Sequence, residues 1–447
     1  MRLSRHALLA ALAVMAAPAT LRAQVQGPSA RALGMAGAYS LQARGHEAPT
    51  WNPAILALPG RPKVSIGLPQ SMVEMGSNAY GLGEVLRYAN VRLSEADKAV
   101  LLARIDTTLR VRMVAELNPV GISIGRFALN LASSGEAEVS LGKDAVDLAL
   151  HGNAARSGPG EFFTAEHSGA SGWAVTTLSA STAFPIEVTL GHLALGVTVK
   201  RVWGRALARA DELSSRFAVS PTFEASGAGH AMYTTFPAGY QLRGMGLVFS
   251  ADAPGNGFGV DLGGALQLHS GLTVGVVLVN ALGDIAWRRD RLKYERTEPT
   301  VTQGADGVIR DTTRHTVLVG SAIDTDPVAL AMRDSLLRRS DLARMARAGL
   351  SYQVGALLLS GDVMVRITQG LDRQPAQSVS AGIEYVLWGF LPLRSGFGAD
   401  FAGAYTLTAG TGLYVGPVRL DVGAASIHGP LHHGLRVGAG LSLAFGS

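Results

Sequence analysis

The sequence contains no cysteine, which excludes disulfide bonds, thiol catalysis and metal sites built on thiolates. Charged residues make up only 16% of the 447 residues, whereas ordinary soluble domains carry roughly 25%. The formal net charge is +5, and three arginines within the first 22 residues account for much of it. With so little net charge and no basic face interleaved with aromatic residues, nucleic acid is not an expected partner.

Long apolar runs are also lacking beyond the leader, so no transmembrane helix is predicted there. Residues 1–23 are predicted to be a signal peptide, because a basic start precedes the apolar run Ala7 to Ala17 and the small-x-small site Ala17-Pro18-Ala19. A second cleavage option follows Ala23. The alternative is an N-terminal membrane anchor, but the run is shorter than the about 20 residues that a spanning helix needs. The sequence therefore predicts export.

The apolar residues instead alternate with small, polar or charged residues. In the last such segment the apolar set is Leu435, Val437, Ala439, Leu441, Leu443 and Phe445, and the residues between them are Arg436, Gly438, Gly440, Ser442 and Ala444. The same period of two recurs within residues 257–268, 357–367, 378–387 and 418–422. This period predicts β-strands that each have one apolar face.

Two architectures contain strands of this kind. In a soluble β-sandwich the apolar face meets a protein core, whereas in a transmembrane barrel it meets lipid and the polar face lines the lumen. Several segments run for about ten residues or more, which is the length of a tilted membrane strand rather than of an average soluble strand. We therefore predict an all-β fold, a transmembrane antiparallel β-barrel of about 14 strands over residues 61–447. Aromatic residues, at 6%, are few for the girdles of such a barrel.

Turn chemistry supports the barrel. Gly416-Pro417 predicts a two-residue link between two strands, and Val354-Gly355 predicts a similar link. The connection from Ile427 to His433 is longer. Short turns on one rim and longer loops on the other are typical of outer-membrane barrels.

Two inserts interrupt the strand pattern. Residues about 83–117 are predicted to hold one or two amphipathic helices, since Ser94-Glu95-Ala96-Asp97 is a capping box. Residues about 288–346 are predicted to form a charged loop followed by a helix. The alternation also changes phase near Arg126-Phe127 and at Asn280–Asp284, where a bulge or kink would let one strand continue with its faces exchanged.

Residues 24–60 show no clean period, and they contain ARALGMAGAY at Ala30–Tyr39 and then Trp51-Asn52-Pro53-Ala54. This pattern resembles the mature N-terminus of the FadL-like outer-membrane barrels, which include long-chain fatty-acid channels, aromatic-hydrocarbon channels and PorV-type proteins. Other segments resemble a less characterised branch of that superfamily, namely Pro119–Ala128, Leu141–Asn153, Asn280–Asp284 and Gly416–Asp421. The resemblance extends over most of the chain and implies location in the outer membrane.

In the fatty-acid channels the N-terminal segment folds inside the barrel as a hatch, so the resemblance implies a hatch over residues 24–60. The residues that it implies for the hatch and for gating a ligand are Gly34, Gly37, Trp51, Asn52 and Pro53. Their types suit that place, because glycine permits close approach or positive φ and Pro53 favours an extended Asn52. A disordered N-terminal tail is the alternative.

The resemblance implies passage of a hydrophobic or amphipathic small molecule, which would bind in the lumen and leave through a gap opened when the hatch shifts. Outer-membrane lipid is the expected surrounding. One alternative is a PorV-like barrel accessory to protein secretion, with a secretion partner contacting the helical inserts and Arg338, Arg339 and Arg344. Another is a purely structural outer-membrane protein.

The sequence does not predict an enzyme, and no catalytic site, metal site or cofactor is expected. Gly121-Ile122-Ser123-Ile124-Gly125 matches the G-x-S-x-G nucleophile motif, but that motif needs a strand-to-helix turn and the sequence here predicts a continuing strand with an inward serine. His428, His432 and His433 could bind zinc, although a hairpin loop containing Gly429 is the simpler interpretation.

Overall fold

The structure is a computed structural model that describes residues 28–88, 91–152, 161–218, 224–235, 252–303, 306, 308–371, 376–429 and 433–446. The predicted signal peptide lies outside the described residues. Among the described residues, none of the helices is long and apolar enough to span a membrane.

The described chain is built mainly from β-strands. The strands are β1 Val64–Ser77, β2 Thr108–Ile124, β3 Phe127–Gly142, β4 Gly169–Val188, β5 Gly191–Ala218, β6 Glu224–Thr234, β7 Gly255–Leu268, β8 Leu272–Trp287, β9 Leu292–Gln303, β10 Ile309–Val319, β11 Met345–Val354, β12 Leu357–Arg366, β13 Gln377–Leu387, β14 Leu391–Asp400, β15 Tyr405–Val415, β16 Val418–His428 and β17 His433–Phe445. The helices are α1 Ala30–Gly34, α2 Ala48–Trp51, α3 Leu82–Tyr88, α4 Glu95–Ala103, α5 Lys143–His151 and α6 Pro327–Leu337. Short 3-10 helices span Gly45–Glu47, Pro53–Ala57, Arg289–Arg291 and Gly320–Thr325.

Fourteen antiparallel strands close into a barrel. The order around the wall is β1 to β5, then β7, β8 and β11 to β17, and β17 pairs back onto β1 with Val64 opposite Phe445. The predicted fold and its 14 strands are confirmed. Because β17 pairs with β1, each of the 14 described wall strands has a neighbour on both sides, as a hydrocarbon surrounding requires.

The other three strands extend the sheet beyond the barrel. β5 is 28 residues long; its first half pairs with β7 in the wall, and its second half pairs with β6. β6 then pairs with β9, and β9 with β10. Trp287, Tyr294 and residues of α6, among them Met332, form the apolar core of this extension.

The two faces of the wall differ as the sequence predicted. On β13, Ile383 and Tyr385 point outward and are 41% and 46% exposed, whereas Glu384 between them points inward and is 4% exposed. On β17, Val437 points outward and Arg436 is buried in the lumen. An apolar outer face and a polar inner face are the pattern of a membrane barrel.

The connections divide the barrel into two rims. Two-residue links join β2 to β3, β4 to β5, β11 to β12 and β15 to β16 on the short-turn rim. The long connections and helices α3 to α6 lie on the opposite, long-loop rim. The hairpin predicted at Gly416-Pro417 is therefore confirmed.

Near Arg126-Phe127 a bulge or kink within one continuing strand was predicted, and this prediction is wrong. Gly125 and Arg126 form the two-residue turn between β2 and β3, because Gly125 takes φ +59. The bend predicted at Asn280–Asp284 is confirmed. There the register of β8 against β7 shifts between Val260 and Leu262, and Asn280 takes φ 51.

The two predicted inserts are only partly helical. In the first, α3 and α4 are present, but residues 108–117 belong to β2, because Arg112 and Glu116 face the lumen while Met113 faces outward. In the second, residues 288–346 contain the hairpin β9–β10 ahead of α6. Helix α6 spans only Pro327–Leu337.

Candidate functional site

The N-terminal segment lies inside the barrel, and we call residues 28–58 the hatch. It contains α1, α2 and two of the 3-10 helices, and nearly all of its residues are buried. Met35, Tyr39 and Trp51 are among the largest fully buried side chains of the described chain. Its short helices are capped locally, since the Asn52 side chain accepts from the backbone N–H of Ala54 at 3.0 Å.

A buried ion cluster joins the hatch to the wall. Arg31 of the hatch donates to both oxygens of Glu384 on β13, at 2.8 and 2.6 Å. Arg394 on β14 donates to the same carboxylate at 2.6 Å and pairs with Asp421 on β16 at 2.8 Å. This bidentate pairing satisfies charges that burial would otherwise strongly disfavour.

Polar side chains of the wall also satisfy the hatch backbone. Asp362 on β12 accepts from the backbone N–H groups of Tyr39 and Ser40 at 2.7 and 2.8 Å. Ser360 donates to the carbonyl of Ala38 at 2.8 Å, and Thr408 donates to the carbonyl of Gly34 at 3.0 Å. Irregular backbone at membrane depth requires such partners, so the inner wall and the hatch are complementary.

The five predicted hatch residues all lie in the barrel, in two groups. Gly34 lies against β14 to β16, where a Cβ would be 3.0 Å from the Cα of Gly410, and Gly37 takes φ 78. Asn52 and Pro53 lie against β5 and β7, and Trp51 lies beside Tyr39 of the hatch and Arg347 of β11. Asn52 is extended, with φ −154 and ψ 109, as its position before proline predicts. Their role in gating stays a prediction.

Trp51 lies in an aromatic and cationic cluster. Its ring meets Tyr39 edge to face at 5.2 Å between centroids, and the Arg347 guanidinium lies 5.1 Å from its centre. The Tyr39 hydroxyl donates to Glu47 at 2.6 Å, and Ser29 donates to the other oxygen of the same carboxylate at 2.7 Å. The selection of hatch residues by resemblance therefore missed Arg31, Tyr39 and Glu47. For Arg31 and Glu47 the available signal was a charged residue in an otherwise apolar segment.

A cavity of about 40 Å³ lies between the hatch and strands β15 to β17 and β1. Ala36, Gly37 and Trp51 line it on the hatch side, and Met72 and Arg436 on the wall side. An apolar cavity of about 150 Å³ is the size known to hold benzene. A molecule of that size therefore needs more room than this cavity offers beside the hatch.

Buried ion pairs lie in the lumen beside this cavity. Arg112 on β2 pairs with Glu136 on β3 at 3.0 Å, and Arg436 donates to Glu74 on β1 at 2.8 Å. All four side chains are nearly or fully buried. The inward faces of β17, β1, β2 and β3 thus carry paired charges.

The two other sequence motifs lie on strands and hairpins of the wall. Ser123 is a buried, inward residue of β2, and the chain continues from it into a hairpin turn rather than into a helix. His428 stacks on Tyr405 at 5.1 Å and lies near His433, and His432 is outside the described residues. Within the described ranges, no group of three or more potential metal ligands is present.

A model of a protein family matches the chain. It is described as "Family of unknown function (DUF5723)" and covers residues 53–414. No curated protein sequence matches the chain.

Solved structures similar to the chain include toluene transporters and a FadL homologue. The toluene transporter TodX of Pseudomonas putida is 11% identical, covers 95% of this chain and 100% of its own, and has a TM-score of 0.50. The toluene transporter TbuX of Ralstonia pickettii is 14% identical over 94% and 98%, with a TM-score of 0.49. A FadL homologue of Pseudomonas aeruginosa is 11% identical over 94% and 99%, also with a TM-score of 0.49. At these identities the likeness concerns the fold, which is that of a FadL-like barrel.

Proposed function

Because the chain belongs to the family of unknown function DUF5723 and folds as a FadL-like barrel, we propose that it is an outer-membrane channel for hydrophobic or amphipathic small molecules. The observation that carries this proposal is a buried hatch inside a closed barrel with an apolar outer face. The toluene transporter TodX, which has the same fold, supports it by analogy.

The hatch is the gate in this proposal. The cavity beside it is too small for a benzene-sized ligand, so passage requires the hatch to move. Ala36 and Gly37, with φ 52 and 78, form a left-handed turn at the edge of this cavity. Gly34, Gly37, Trp51, Asn52 and Pro53 are the residues that we assign to gating.

The exit is proposed to be lateral, between β1 and β2. Their pairing is interrupted between Gly67 and Gln70, and the register places Pro69 directly opposite Pro119. Neither proline has an N–H to donate to the ladder, which weakens the sheet locally. The registers of β1 on β17 and of β2 on β3 also shift at this level.

The hatch covers this interruption from inside. The ring of His46 lies against Gly67 and Gly121, and its Nε2 is 3.2 Å from Nε2 of Gln70. Movement of this part of the hatch would uncover the β1–β2 seam. A hydrophobic ligand would then pass directly into the membrane.

Uptake assays in intact cells test the proposal. Cells with the full chain, cells without it and cells with residues 25–56 deleted would be given labelled toluene and a labelled long-chain fatty acid. We expect uptake to depend on the barrel and to change on deletion of the hatch. Equal uptake with and without the barrel would show that it is not a transport channel.

Cross-linking tests the exit, and the absence of native cysteine makes it specific. Ile66 lies opposite Ile122 beside the seam, and directly opposite residues of antiparallel strands are about 4.5–5.5 Å apart, within disulfide range. We expect Ile66→Cys with Ile122→Cys to block uptake when oxidised and to restore it on reduction. Leu359→Cys with Ile383→Cys, opposite each other on β12 and β13, is the matched control.

The alternative of a partner-binding barrel predicts a filled lumen, and the buried ion pairs of β1, β2, β3 and β17 are compatible with it. The same cells distinguish the two functions. Loss of the barrel would then impair secretion of a protein and leave hydrocarbon uptake unchanged.

A further inference from the structure

Ten glycines face the lumen in five cross-strand pairs. The pairs are Gly67–Gly121, Gly196–Gly263, Gly275–Gly349, Gly382–Gly396 and Gly410–Gly423. They lie on β1 and β2, β5 and β7, β8 and β11, β13 and β14, and β15 and β16. In each pair the two glycines are directly opposite each other, so each pair forms a shallow depression in the inner wall.

Each depression is occupied by the hatch. A Cβ built on Gly396 would lie 2.5 Å from the carbonyl carbon of Met35, and one on Gly382 would lie 2.7 Å from the Cβ of Met35. One on Gly423 would lie 2.6 Å from the carbonyl oxygen of Ala30. Real Cβ atoms do not approach other atoms this closely. These glycines are therefore needed for the hatch to sit where it does.

The remaining pairs contact other parts of the hatch. The pair on β8 and β11 meets Leu41 and Ser40, the pair on β5 and β7 meets Asn52, Pro53 and Ala54, and the pair on β1 and β2 meets His46. The five contacts are distributed around the wall. Between them the wall offers small or polar side chains, such as Asn130, Ser360 and Ala183.

We propose that the five glycine pairs are the seat of the hatch, and that they act as positioning residues that hold the lumen closed. The inference deepens the proposed gating function. It depends on that proposal only for the identity of the molecule that passes. Closure of the lumen to ions follows from the seat alone. The seat is specific, because the described inward glycines outside it, such as Gly398 and Gly438, make only ordinary van der Waals contacts with the hatch.

Two pairs of the seat differ from the other three. At β1 and β2 the nearest hatch atoms belong to the His46 side chain, and at β8 and β11 they belong to the side chains of Leu41 and Ser40. At the other three pairs they include main-chain atoms, such as those of Met35 and Ala54. A side chain leaves by rotation about its own bonds, but main chain leaves only with its segment. We therefore expect the hatch to separate first at these two pairs, and the pair on β1 and β2 lies beside the proposed seam.

Conductance of the purified full chain in planar bilayers tests the seat. Gly396→Ala is the test variant. Gly398→Ala is its matched control, because it lies on the same strand and the same face and its Cβ would be 3.7 Å from the nearest hatch atom. Gly263→Ala, which meets Asn52, is paired in the same way with its outward neighbour Gly264→Ala, which meets only wall side chains at 3.8 Å.

We expect each seat variant to raise the conducting fraction about tenfold, since overpacking by one methyl group shifts a two-state equilibrium by that order. Trypsin should also cleave the hatch at Arg31 and Arg44 in the seat variants, while both controls behave as wild type. The heat-modifiable mobility of the folded barrel shows that the wall itself is intact. Failure of both seat variants to fold, with both controls folded, would equally show that the hatch needs these glycines.

Folded seat variants with wild-type conductance and a protease-resistant hatch would overturn the seat. So would controls that leak as much as the seat variants. This outcome is separate from the uptake assay. Leaky seat variants without barrel-dependent hydrocarbon uptake would support the role of the seat and reject transport. Seat variants that do not leak, with barrel-dependent uptake, would reject only the role of the seat.

Discussion

At the scale of single residues, Glu384 links the hatch to the wall. Its carboxylate receives Arg31 from the hatch and Arg394 from β14, and all three groups are buried or nearly so. Removing one partner of a buried ion pair leaves an uncompensated charge, which costs about 3–5 kcal/mol. Loss of Glu384 mainly destabilises the hatch, because Arg31 loses this partner whereas Arg394 keeps Asp421 as a second partner.

Glu384→Ala is therefore expected to loosen the hatch by several kcal/mol. Trypsin cleavage at Arg31 in the folded barrel measures this directly. The control is Glu187→Ala, since Glu187 pairs with His192 at 2.9 Å but its side chain is 77% exposed. Exposed pairs contribute about 0–1 kcal/mol, so the control should be cleaved as slowly as wild type. Equal cleavage of both variants would contradict the role of Glu384.

Asp362 has a different task, which is to accept from two backbone N–H groups of the hatch. Asp362→Ala leaves the amides of Tyr39 and Ser40 without this partner, at about 1–3 kcal/mol for each. Asp362→Asn keeps one acceptor oxygen and should cost less. Hydrogen exchange at the two amides is expected to be fastest in the alanine variant and intermediate in the asparagine variant. No change in exchange for alanine would contradict the assignment.

Asp362 and Glu384 could be placed from sequence, but their partners could not. The alternation with Val363 and Ile383 predicts that both carboxylates face inward. The pairing of Glu384 with Arg31 spans 353 residues and exists only because the barrel closes around the hatch. The pattern within one strand carries no information about such a contact.

At the scale of elements, the bend in β8 depends on Asn280. It takes φ 51, its Nδ2 donates to the carbonyl of Ala343 at 2.8 Å, and its Oδ1 accepts from Lys200 at 3.1 Å. Asparagine is the non-glycine residue best suited to a left-handed conformation. The bend brings the end of β8 to residues 340–343, beyond its pairing with β11.

Two substitutions separate the strain at this bend from its hydrogen bonds. Asn280→Ala and Asn280→Gly both lose the amide, but only alanine adds the cost of positive φ, about 1–2 kcal/mol. We expect the glycine variant to be the more stable of the two by that amount in urea-induced unfolding. A less stable glycine variant would show that the backbone is not strained there.

The elements also show where the sequence pattern misleads. Leu101, Ile105 and Leu109 have helical spacing, yet α4 ends at Ala103 and Leu109 belongs to β2. The helical spacing of apolar residues continues past the start of β2. It does so because the inward face of β2 carries charged residues such as Arg112, as an exposed helix would. Paired charges inside a barrel make a strand resemble an exposed helix when only one segment is read.

At the scale of the whole molecule, the apolar outer face defines the membrane belt. Val363 lies on it near the middle of β12 and is 43% exposed. We expect Val363→Arg to destabilise the barrel in bilayers by about 2–4 kcal/mol, as for a cation at mid-membrane on a lipid face. Val317→Arg on β10, in the extension beyond the barrel, makes the same chemical change at a 53% exposed valine and should be nearly neutral. Folding titrations in lipid vesicles would measure both.

The closed barrel was predictable from sequence, whereas the extension was not. Alternation over ten residues, as in 435–445, predicts a membrane strand, and the two-residue turns predict its hairpin. The pairing of β6, β9 and β10 depends on the unusual length of β5, which no single strand reveals. The location of the hatch came from the resemblance of Ala30–Tyr39 and Trp51-Asn52-Pro53-Ala54, since its residues have no period of their own.

The pairing of the last strand with the first has a consequence for biogenesis. Residues 28–58 precede every strand in the chain, yet they end enclosed by a wall that is complete only when β17 reaches β1. A closed barrel that contacts this segment on all sides leaves no route by which the segment could enter after closure. The sheet must therefore close around its own N-terminal segment, which acts as an internal template for barrel assembly.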